Sequence, residues 1–213
     1  MGIPSYFSYI VKNHIDIIRK YIKASLAVHN LYMDCNSIIY DAVRRIDFND
    51  LSEKDSVVII KAVICKIEEY IELITPSKNV LIAFDGVAPA AKLEQQRNRR
   101  YKSWYQNEIS KSIFQKTTAD PWNTTAITPG TLFMKELNES VQKYFSNNTK
   151  YPNLNFIVST SDQFGEGEHK IFEHIRSNKE SHLTDTTVIY GLDADLIMLS
   201  INHLPINPNI YLF

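Results

Sequence analysis

Hydrophobic and polar positions along the chain fall into two alternating patterns. Short runs rich in branched and aromatic residues predict β-strands, and longer stretches between them carry apolar residues at helical spacing. The strand-like runs span residues 29–33, 79–84, 155–160 and 187–192. Strands that alternate with helices are typical of α/β folds with a mostly parallel sheet flanked by helices. We therefore predict an α/β fold of this class.

The longer stretches predict helices with one apolar face. They cover residues 5–23, residues 53–74, and a segment that begins near Thr128 and ends at about Phe145. Ser52 is the predicted N-cap of the second helix, and Pro129 is the predicted first residue of the third. Residues 116–127 contain turn residues without a clear period and predict a loop.

The length and charge of the chain limit the number of domains and the kinds of partner that can be expected. Its 213 residues, 44% of them hydrophobic, can bury the core of a single domain over residues 1–213. The 23 basic and 24 acidic residues leave a formal net charge of −1. Affinity for a polyanion would therefore have to come from local clusters of charge.

The cysteines and the opening segment indicate the compartment. Cys35 and Cys65 are too few for a disulfide framework, which favours a reducing compartment. The opening segment carries His14, Asp16 and Arg19 within its apolar pattern, so it is neither a signal peptide nor a membrane span. We expect a cytoplasmic or nuclear protein without a membrane partner.

Acidic residues follow each of the four predicted strands. They are Asp34, Asp85, Glu166, Glu168, Asp193 and Asp195. Because parallel strands end at one edge of a sheet, these carboxylates are expected to converge there. Carboxylates at short range repel one another, so such a cluster requires cations, and hard oxygen ligands select Mg²⁺ or Mn²⁺ over zinc. Two such ions would suit phosphodiester hydrolysis.

Other interpretations of single acids remain open at this point. Each aspartate alone is equally well a helix cap or a turn residue, and the pair Glu166 and Glu168 would also suit a helix start. The recurrence of acids after four strands favours the shared site. His169 and His174 lie five residues apart, a poor helical spacing for metal ligands, and predict surface or core positions.

The main basic block covers residues 91–104. Its five cations and one acid, Glu94, give a local charge of +4. On a helix, four of its polar residues would share one face; they are Lys92, Gln96, Arg99 and Arg100. A solvated surface is one interpretation, and we favour a phosphate-binding pocket. Tyr101, Trp104 and Tyr105 would either stack on nucleobases or pack in the core.

Six stretches of the chain together resemble a known family. They are MGIPSYFSYI (1–10), NLYMDCNSIIYD (30–41), AFDGVAPAAKLEQQRNRRY (83–101), ITPGTLFM (127–134), GEGEHKI (165–171) and YGLDADLIML (190–199). In sequence and order they resemble the N-terminal catalytic segment of the XRN family of 5′→3′ exoribonucleases. Single motifs of this kind are weak, but jointly they are specific and span nearly the whole chain.

The resemblance implies a PIN/FEN-like nuclease core that hydrolyses single-stranded RNA stepwise from a 5′-monophosphate end and releases mononucleotides. It implies that the six acids hold two Mg²⁺ ions, with Mn²⁺ as the other choice. The basic face, with Lys92, Gln96, Arg99 and Arg100, would bind the 5′-phosphate. Tyr40 stands where the family usually has a histidine that stacks on the first base, and tyrosine also stacks.

Other departures from the family concern substrate binding and the metal site. Ser37 replaces a usual glycine and Ala90 a usual arginine. The family continues into a segment with a further metal-binding aspartate. We therefore expect a domain that is incomplete at its C-terminus, with the missing segment or a second chain completing the site.

Two other functions remain as alternatives. One is an inactive, nuclease-like module that binds RNA or a partner, and the other is a DNA nuclease of the FEN type. A HAD-type phosphatase is disfavoured, because the DADLIM motif follows the fourth predicted strand instead of the first.

Overall fold

The computed structural model describes residues 5–21, 26–46, 55–114 and 122–213. Its helices are α1 (Tyr6–Asn13), α2 (Asn36–Arg45), α3 (Asp55–Ile74), α4 (Ala90–Phe114), α5 (Leu132–Ser146), α6 (Gly167–Ser177), α7 (Lys179–His182) and α8 (Asp195–His203). Its strands are β1 (Asn30–Asp34), β2 (Asn79–Ala83), β3 (Asn155–Ser159), β4 (Thr187–Tyr190) and β5 (Ile210–Leu212). Within these ranges, no helix has both the length and the apolar character needed to cross a membrane.

The strands form one sheet in the order β3-β2-β1-β4-β5. Every neighbouring pair is parallel, which confirms the predicted α/β class. In the register of β1 and β2, Asp34 lies opposite Ala83. The carboxyl ends of these two central strands therefore reach the same edge of the sheet, as the acid pattern requires.

Helices cover both faces of the sheet. Leu31 and Met33 of β1 belong to a core cluster with residues of α2, α3 and α5, whereas Tyr32 belongs to a second cluster with residues of α6 and α8. Successive side chains of a strand point to opposite faces, so β1 is buried from both sides. Each large side chain buried in this way contributes roughly 1.5–3 kcal/mol, which explains the uninterrupted apolar runs.

The N-terminal segment differs from its prediction. One helix was expected over residues 5–23, but α1 ends at Asn13 and a short 3₁₀ turn, Ile15–Ile17, follows. His14 between them has φ −135° and ψ 50°, which is incompatible with a continuous helix. Neither piece contributes a buried residue, so no core contact stabilises a longer helix.

The predicted start of the third helix was also wrong. Gly130 has φ +89°, outside the helical range, and Thr131 is the actual N-cap, whose Oγ1 accepts a 3.3 Å hydrogen bond from the N–H of Met134. The helix therefore begins at Leu132, three residues after Pro129. The hydroxyl of Thr131 thus satisfies a free N–H at the helix start, as preferred N-cap residues do.

The remaining differences are small. The predicted N-cap Ser52 and residues 116–121 of the predicted loop lie outside the described residues, and Thr124–Ala126 of that loop forms a 3₁₀ turn. β5 pairs with β4 and was not predicted. Its three residues, partly exposed at the edge of the sheet, are too few to show a strand pattern.

Candidate metal centre and phosphate-binding helix

All six predicted metal ligands lie at the carboxyl edge of the sheet. Asp34 ends β1, Asp85 follows β2, Glu166 and Glu168 lie at the start of α6, and Asp193 and Asp195 lie at the start of α8. Glu166 and Glu168 are buried, each 7% exposed. Burial of ionised carboxylates is costly unless charge or hydrogen bonds compensate for it.

Asp34 has the least compensation. Its Oδ1 atom is buried and has no hydrogen-bond partner among the described residues. Burial, together with the charges of Asp85, Glu168 and Asp193, raises the pKa of Asp34 from 3.8 to about 7, although a hydrogen bond from the backbone of Asn36 lowers it in part. A buried anionic oxygen without a donor, facing other carboxylates, is the environment that a bound cation stabilises.

Asp85 is held in place by hydrogen bonds. The backbone N–H of Gly167 donates to Oδ1 at 2.7 Å, and Asn36 Nδ2 donates to Oδ2 at 2.7 Å. Asn36 Oδ1 in turn accepts the backbone N–H of Asp85 at 3.1 Å. Burial raises the pKa of Asp85, the bond from Gly167 opposes this, and the charge of Glu166 adds to the rise. The carboxylate is thus fixed in orientation but still short of positive charge.

Gly167 allows α6 to approach β1 closely. A Cβ atom at this position would lie 2.6 Å from Oδ1 of Asp34, well inside contact distance. Glu166 occupies the N-cap position of α6, but its side chain makes no capping hydrogen bond. The pair Glu166 and Glu168 does lie at the start of α6, as the helix-start interpretation predicted, but the carboxylate of Glu166 does not cap the helix.

The partner of Glu166 is a residue of the basic helix. Lys92 Nζ lies 2.7 Å from Glu166 Oε2, and this hydrogen bond and the nearby acids raise the pKa of Lys92 against the effect of burial. The pair connects α4 to α6. It places the predicted phosphate-binding face beside the predicted metal ligands.

The acids of α8 lie within electrostatic range of α6. The pKa of Glu168 is raised from 4.5 to about 7, first by burial and then by the charges of Asp193, Glu166 and Asp195, while Lys92 opposes the rise. Asp193 is exposed, and its Oδ1 accepts the backbone N–H of Asp195 at 3.1 Å. The acids that follow β4 therefore belong to the same electrostatic cluster as those that follow β1 and β2.

The other predicted substrate-binding residues are distributed along α4 and α2. Arg100 lies close enough to Tyr40 for its charge to oppose the rise that burial causes in the pKa of Tyr40. Gln96 is partly buried, and Arg99 is exposed and borders a shallow depression of about 440 Å³ with Lys102. Thus Lys92 reaches the acids directly, Arg100 faces Tyr40, and Arg99 faces solvent.

The aromatic residues of α4 are not part of the core. Tyr101, Trp104 and Tyr105 are 65%, 61% and 62% exposed, so the core alternative for these side chains is wrong. They stand on the helix that carries Lys92 and Arg100.

Two residues of α6 next to the acids were missed from sequence. His169 Nδ1 lies 3.7 Å from Glu166 Oε2 and 3.6 Å from Glu168 Oε1. Lys170 Nζ donates 2.7 Å hydrogen bonds to the backbone carbonyls of Phe84 and Thr160, and burial lowers its pKa to about 8. The spacing of His169 three residues after Glu166 was the available signal, because i and i+3 share a helix face.

The residues present fit a hard divalent cation. Most of the donors that converge here are carboxylate oxygens, one of them buried without a partner among the described residues, and Mg²⁺ and Mn²⁺ prefer such ligands. A five-stranded parallel sheet flanked by helices, with this cluster at its carboxyl edge, has the α/β architecture of PIN-like nuclease cores.

Comparison with known proteins places the chain within that class. The family model described as XRN 5'-3' exonuclease N-terminus matches residues 1–212. The chain belongs to this family.

Similar curated proteins are named as exoribonucleases. The chain is 35% identical to 5'-3' exoribonuclease 1 of Saccharomyces cerevisiae over 95% of its length, and 34% identical to 5'-3' exoribonuclease 1 of Homo sapiens over 94%. It is 30% identical to 5'-3' exoribonuclease 2 of Schizosaccharomyces pombe over 94%. The matched region covers 14%, 12% and 24% of these three relatives, so the chain corresponds to a minor part of their length.

Proposed function

We propose that residues 1–213 form one nuclease domain of a 5′→3′ exoribonuclease. Its substrate would be single-stranded RNA with a 5′-monophosphate, cleaved by hydrolysis with two divalent ions, Mg²⁺ or Mn²⁺, to release mononucleotides. The observation that carries this proposal is the Oδ1 of Asp34, which is buried and has no partner in the described part of the chain, within carboxylates from four different chain segments. Family membership supports the same reaction.

Different acids would bind different parts of the two-ion centre. The charges of Asp85, Glu168 and Asp193 act on Asp34, which carries the unpaired oxygen, and those of Glu166 and Asp195 act on Glu168. When bound, such ions polarise the scissile phosphodiester and lower the pKa of the attacking water. Asn36 and Gly167 keep Asp85 oriented towards this space.

The basic face of α4 would determine which end of the RNA is cleaved. A terminal phosphate carries more charge than an internal one, so cations at the end of the binding path favour it. Lys92 and Arg100 would contact this phosphate, with Gln96 and Arg99 beside them. Because Lys92 already contacts Glu166 at 2.7 Å, the phosphate would be held directly next to the metal ligands.

Tyr40 would supply the stacking surface for the first base. Its side chain is 40% exposed, and burial raises its pKa above the usual value near 10. The ring therefore stays neutral across the physiological pH range. Stacking on Tyr40 would not change with pH, whereas a histidine at this position would titrate.

A comparison of substrates tests the proposal. The purified chain, with Mg²⁺ or Mn²⁺, is incubated with 5′-monophosphorylated RNA, the same RNA with a 5′-hydroxyl, and a flap DNA. We expect mononucleotides mainly from the phosphorylated RNA, and none after EDTA is added. Salt-dependent RNA binding without turnover would instead support the inactive binding module. Preferential cleavage of flap DNA would support the FEN-type alternative.

A further inference from the structure

We propose that His169 is a metal ligand. With Glu166 and Glu168 it would form a site of one imidazole nitrogen and two carboxylates that favours a transition-metal dication such as Mn²⁺ over Mg²⁺. This inference deepens the proposed function, because it rests on the same metal centre and specifies which ion the centre prefers.

The first argument is the geometry of the start of α6. His169 Nδ1 lies 3.7 Å from Glu166 Oε2 and 3.6 Å from Glu168 Oε1. One donor atom from each of the three residues can be chosen so that all lie within 4.8 Å of one another. Three donors this close, on one turn of one helix, can contact a single ion without a change in the fold.

The second argument is independent of these three side chains. Asp34 Oδ1 is buried and finds no partner within the ranges that the structure describes, and it lies 2.6 Å from the position of a Cβ on Gly167, the residue between the two glutamates. The unpaired oxygen is therefore directed at the turn that carries the three donors. An anionic oxygen in this position indicates a cation beside this turn.

The third argument is the freedom of the imidazole. His169 is exposed, with 61% of its side chain accessible, so its ring can turn onto an ion without breaking core packing. Lys92, 2.7 Å from Glu166 Oε2, offsets part of the negative charge of the two glutamates. Because Lys92 reduces the negative charge of the site, charge alone would attract a dication less strongly. The imidazole donor of His169 would add to that attraction.

The nitrogen donor determines which ion is preferred. Mg²⁺ takes oxygen ligands almost exclusively and gives up water reluctantly. Imidazole is a better ligand for first-row transition metals, and their affinities for mixed N/O sites exceed that of Mg²⁺. A site with His169 should thus discriminate in favour of Mn²⁺, whereas carboxylates alone would discriminate less.

Pulsed EPR on the Mn²⁺-loaded chain, without RNA, tests the assignment. We expect a ¹⁴N coupling from imidazole in the wild type and its loss in His169→Gln. The Mn²⁺ affinity measured by calorimetry should fall by at least roughly tenfold, since even the hydrogen-bond partners of ligating histidines contribute that much. The Mg²⁺ affinity should change far less. His14→Gln, at an exposed histidine of the N-terminal segment, is the control and should keep the coupling.

The outcomes distinguish this inference from the proposed function. Mn²⁺ binding without ¹⁴N coupling, coupling that persists in His169→Gln, or no Mn²⁺ binding at all would overturn the assignment of His169. Circular dichroism of each variant establishes that the fold is retained. If the coupling behaves as expected but 5′-monophosphorylated RNA stays intact, the metal ligand stands and the exoribonuclease proposal fails.

Discussion

The backbone N–H of Gly167 donates a 2.7 Å hydrogen bond to Oδ1 of Asp85, which joins the first turn of α6 to the end of β2. Residue 167 has no side chain, and because a Cβ there would lie 2.6 Å from Asp34 Oδ1, the glycine also allows α6 to approach Asp34 closely. Acids from β1, β2 and α6 are thereby held in one place by backbone geometry. The order of the centre thus depends on a residue that carries no functional group.

Gly167→Ala should disrupt the centre. The added Cβ would lie 2.6 Å from Asp34 Oδ1, so Asp34 or the start of α6 must move. We expect a loss of about 1–3 kcal/mol of folding free energy, typical of overpacking, and a weaker affinity for Mg²⁺. Urea unfolding and calorimetry measure the two effects. An unchanged Mg²⁺ affinity would show that this close approach does not organise the ligands.

Asp34→Asn should stabilise the metal-free protein while abolishing hydrolysis. Burial raises the pKa of Asp34 from 3.8 to about 7, so at pH 8 the ionised side chain destabilises the fold. Removal of the charge should raise the free energy of unfolding by roughly 1–4 kcal/mol. Urea unfolding at pH 8 in EDTA is the measurement, with Glu139→Gln, at an exposed position of α5, as the control. A destabilised Asp34→Asn protein would contradict the charge argument.

Ionisation of Asp34 and Glu168 should lower the free energy of unfolding of the metal-free protein as pH rises. The pKa of each is raised to about 7 in the fold, so between pH 4 and 7 the folded state binds more protons than the unfolded chain. Stability from these groups is therefore present at low pH and lost as pH rises through 7. The contributions of other titrating groups cancel in the difference between the free energies of unfolding of the wild type and of the double variant Asp34→Asn/Glu168→Gln.

The free energy of unfolding of the double variant should exceed that of the wild type by an amount that grows from pH 4 to pH 7 and levels off above pH 7. Mg²⁺ should reduce it above pH 7, because only the ionised carboxylates bind the ion. Urea midpoints with and without Mg²⁺ at four pH values provide the data. A difference that is constant over this range would be inconsistent with the raised pKa values.

Lys170→Met should loosen the end of β2. It removes two 2.7 Å hydrogen bonds to the carbonyls of Phe84 and Thr160, although the carbonyl of Thr160 still accepts the N–H of Gln163 at 3.2 Å. We expect a loss of about 1–3 kcal/mol in folding free energy. The affinity for Mg²⁺ should fall as well, because Phe84 directly precedes Asp85. Lys179→Met, at an exposed position of α7, should change neither quantity.

Arg100→Ala should impair the cleavage of 5′-phosphorylated RNA selectively. A charge-assisted hydrogen bond to phosphate contributes about 1.5–3 kcal/mol, so we expect KM for this substrate to rise roughly tenfold or more. Lys102→Ala, at an exposed position on the same helix, is the control. Equal losses on RNA with a 5′-hydroxyl would exclude a phosphate pocket at Arg100.

The sheet was predictable from sequence because its central strands are buried on both faces. The run at 29–33 corresponds to β1 within one residue at each end, and its burial extends over Asn30–Met33. Segments without such burial were predicted less well. α1 contributes nothing to the core, and β5 has only three residues at an edge, so neither leaves a complete apolar pattern in the sequence.

The chain's own sequence determined the α/β class, the parallel orientation of strands that alternate with helices, and the edge of the sheet at which six acids would gather. These follow from local periodicity and from the rule that parallel strands end on one side. Only the tertiary structure decided that an oxygen of Asp34 has no partner among the residues described, that Lys92 contacts Glu166, and that His169 faces both glutamates. Such contacts depend on how closely α4 and α6 pack on the strands, and that distance is set by side chains far apart in the chain.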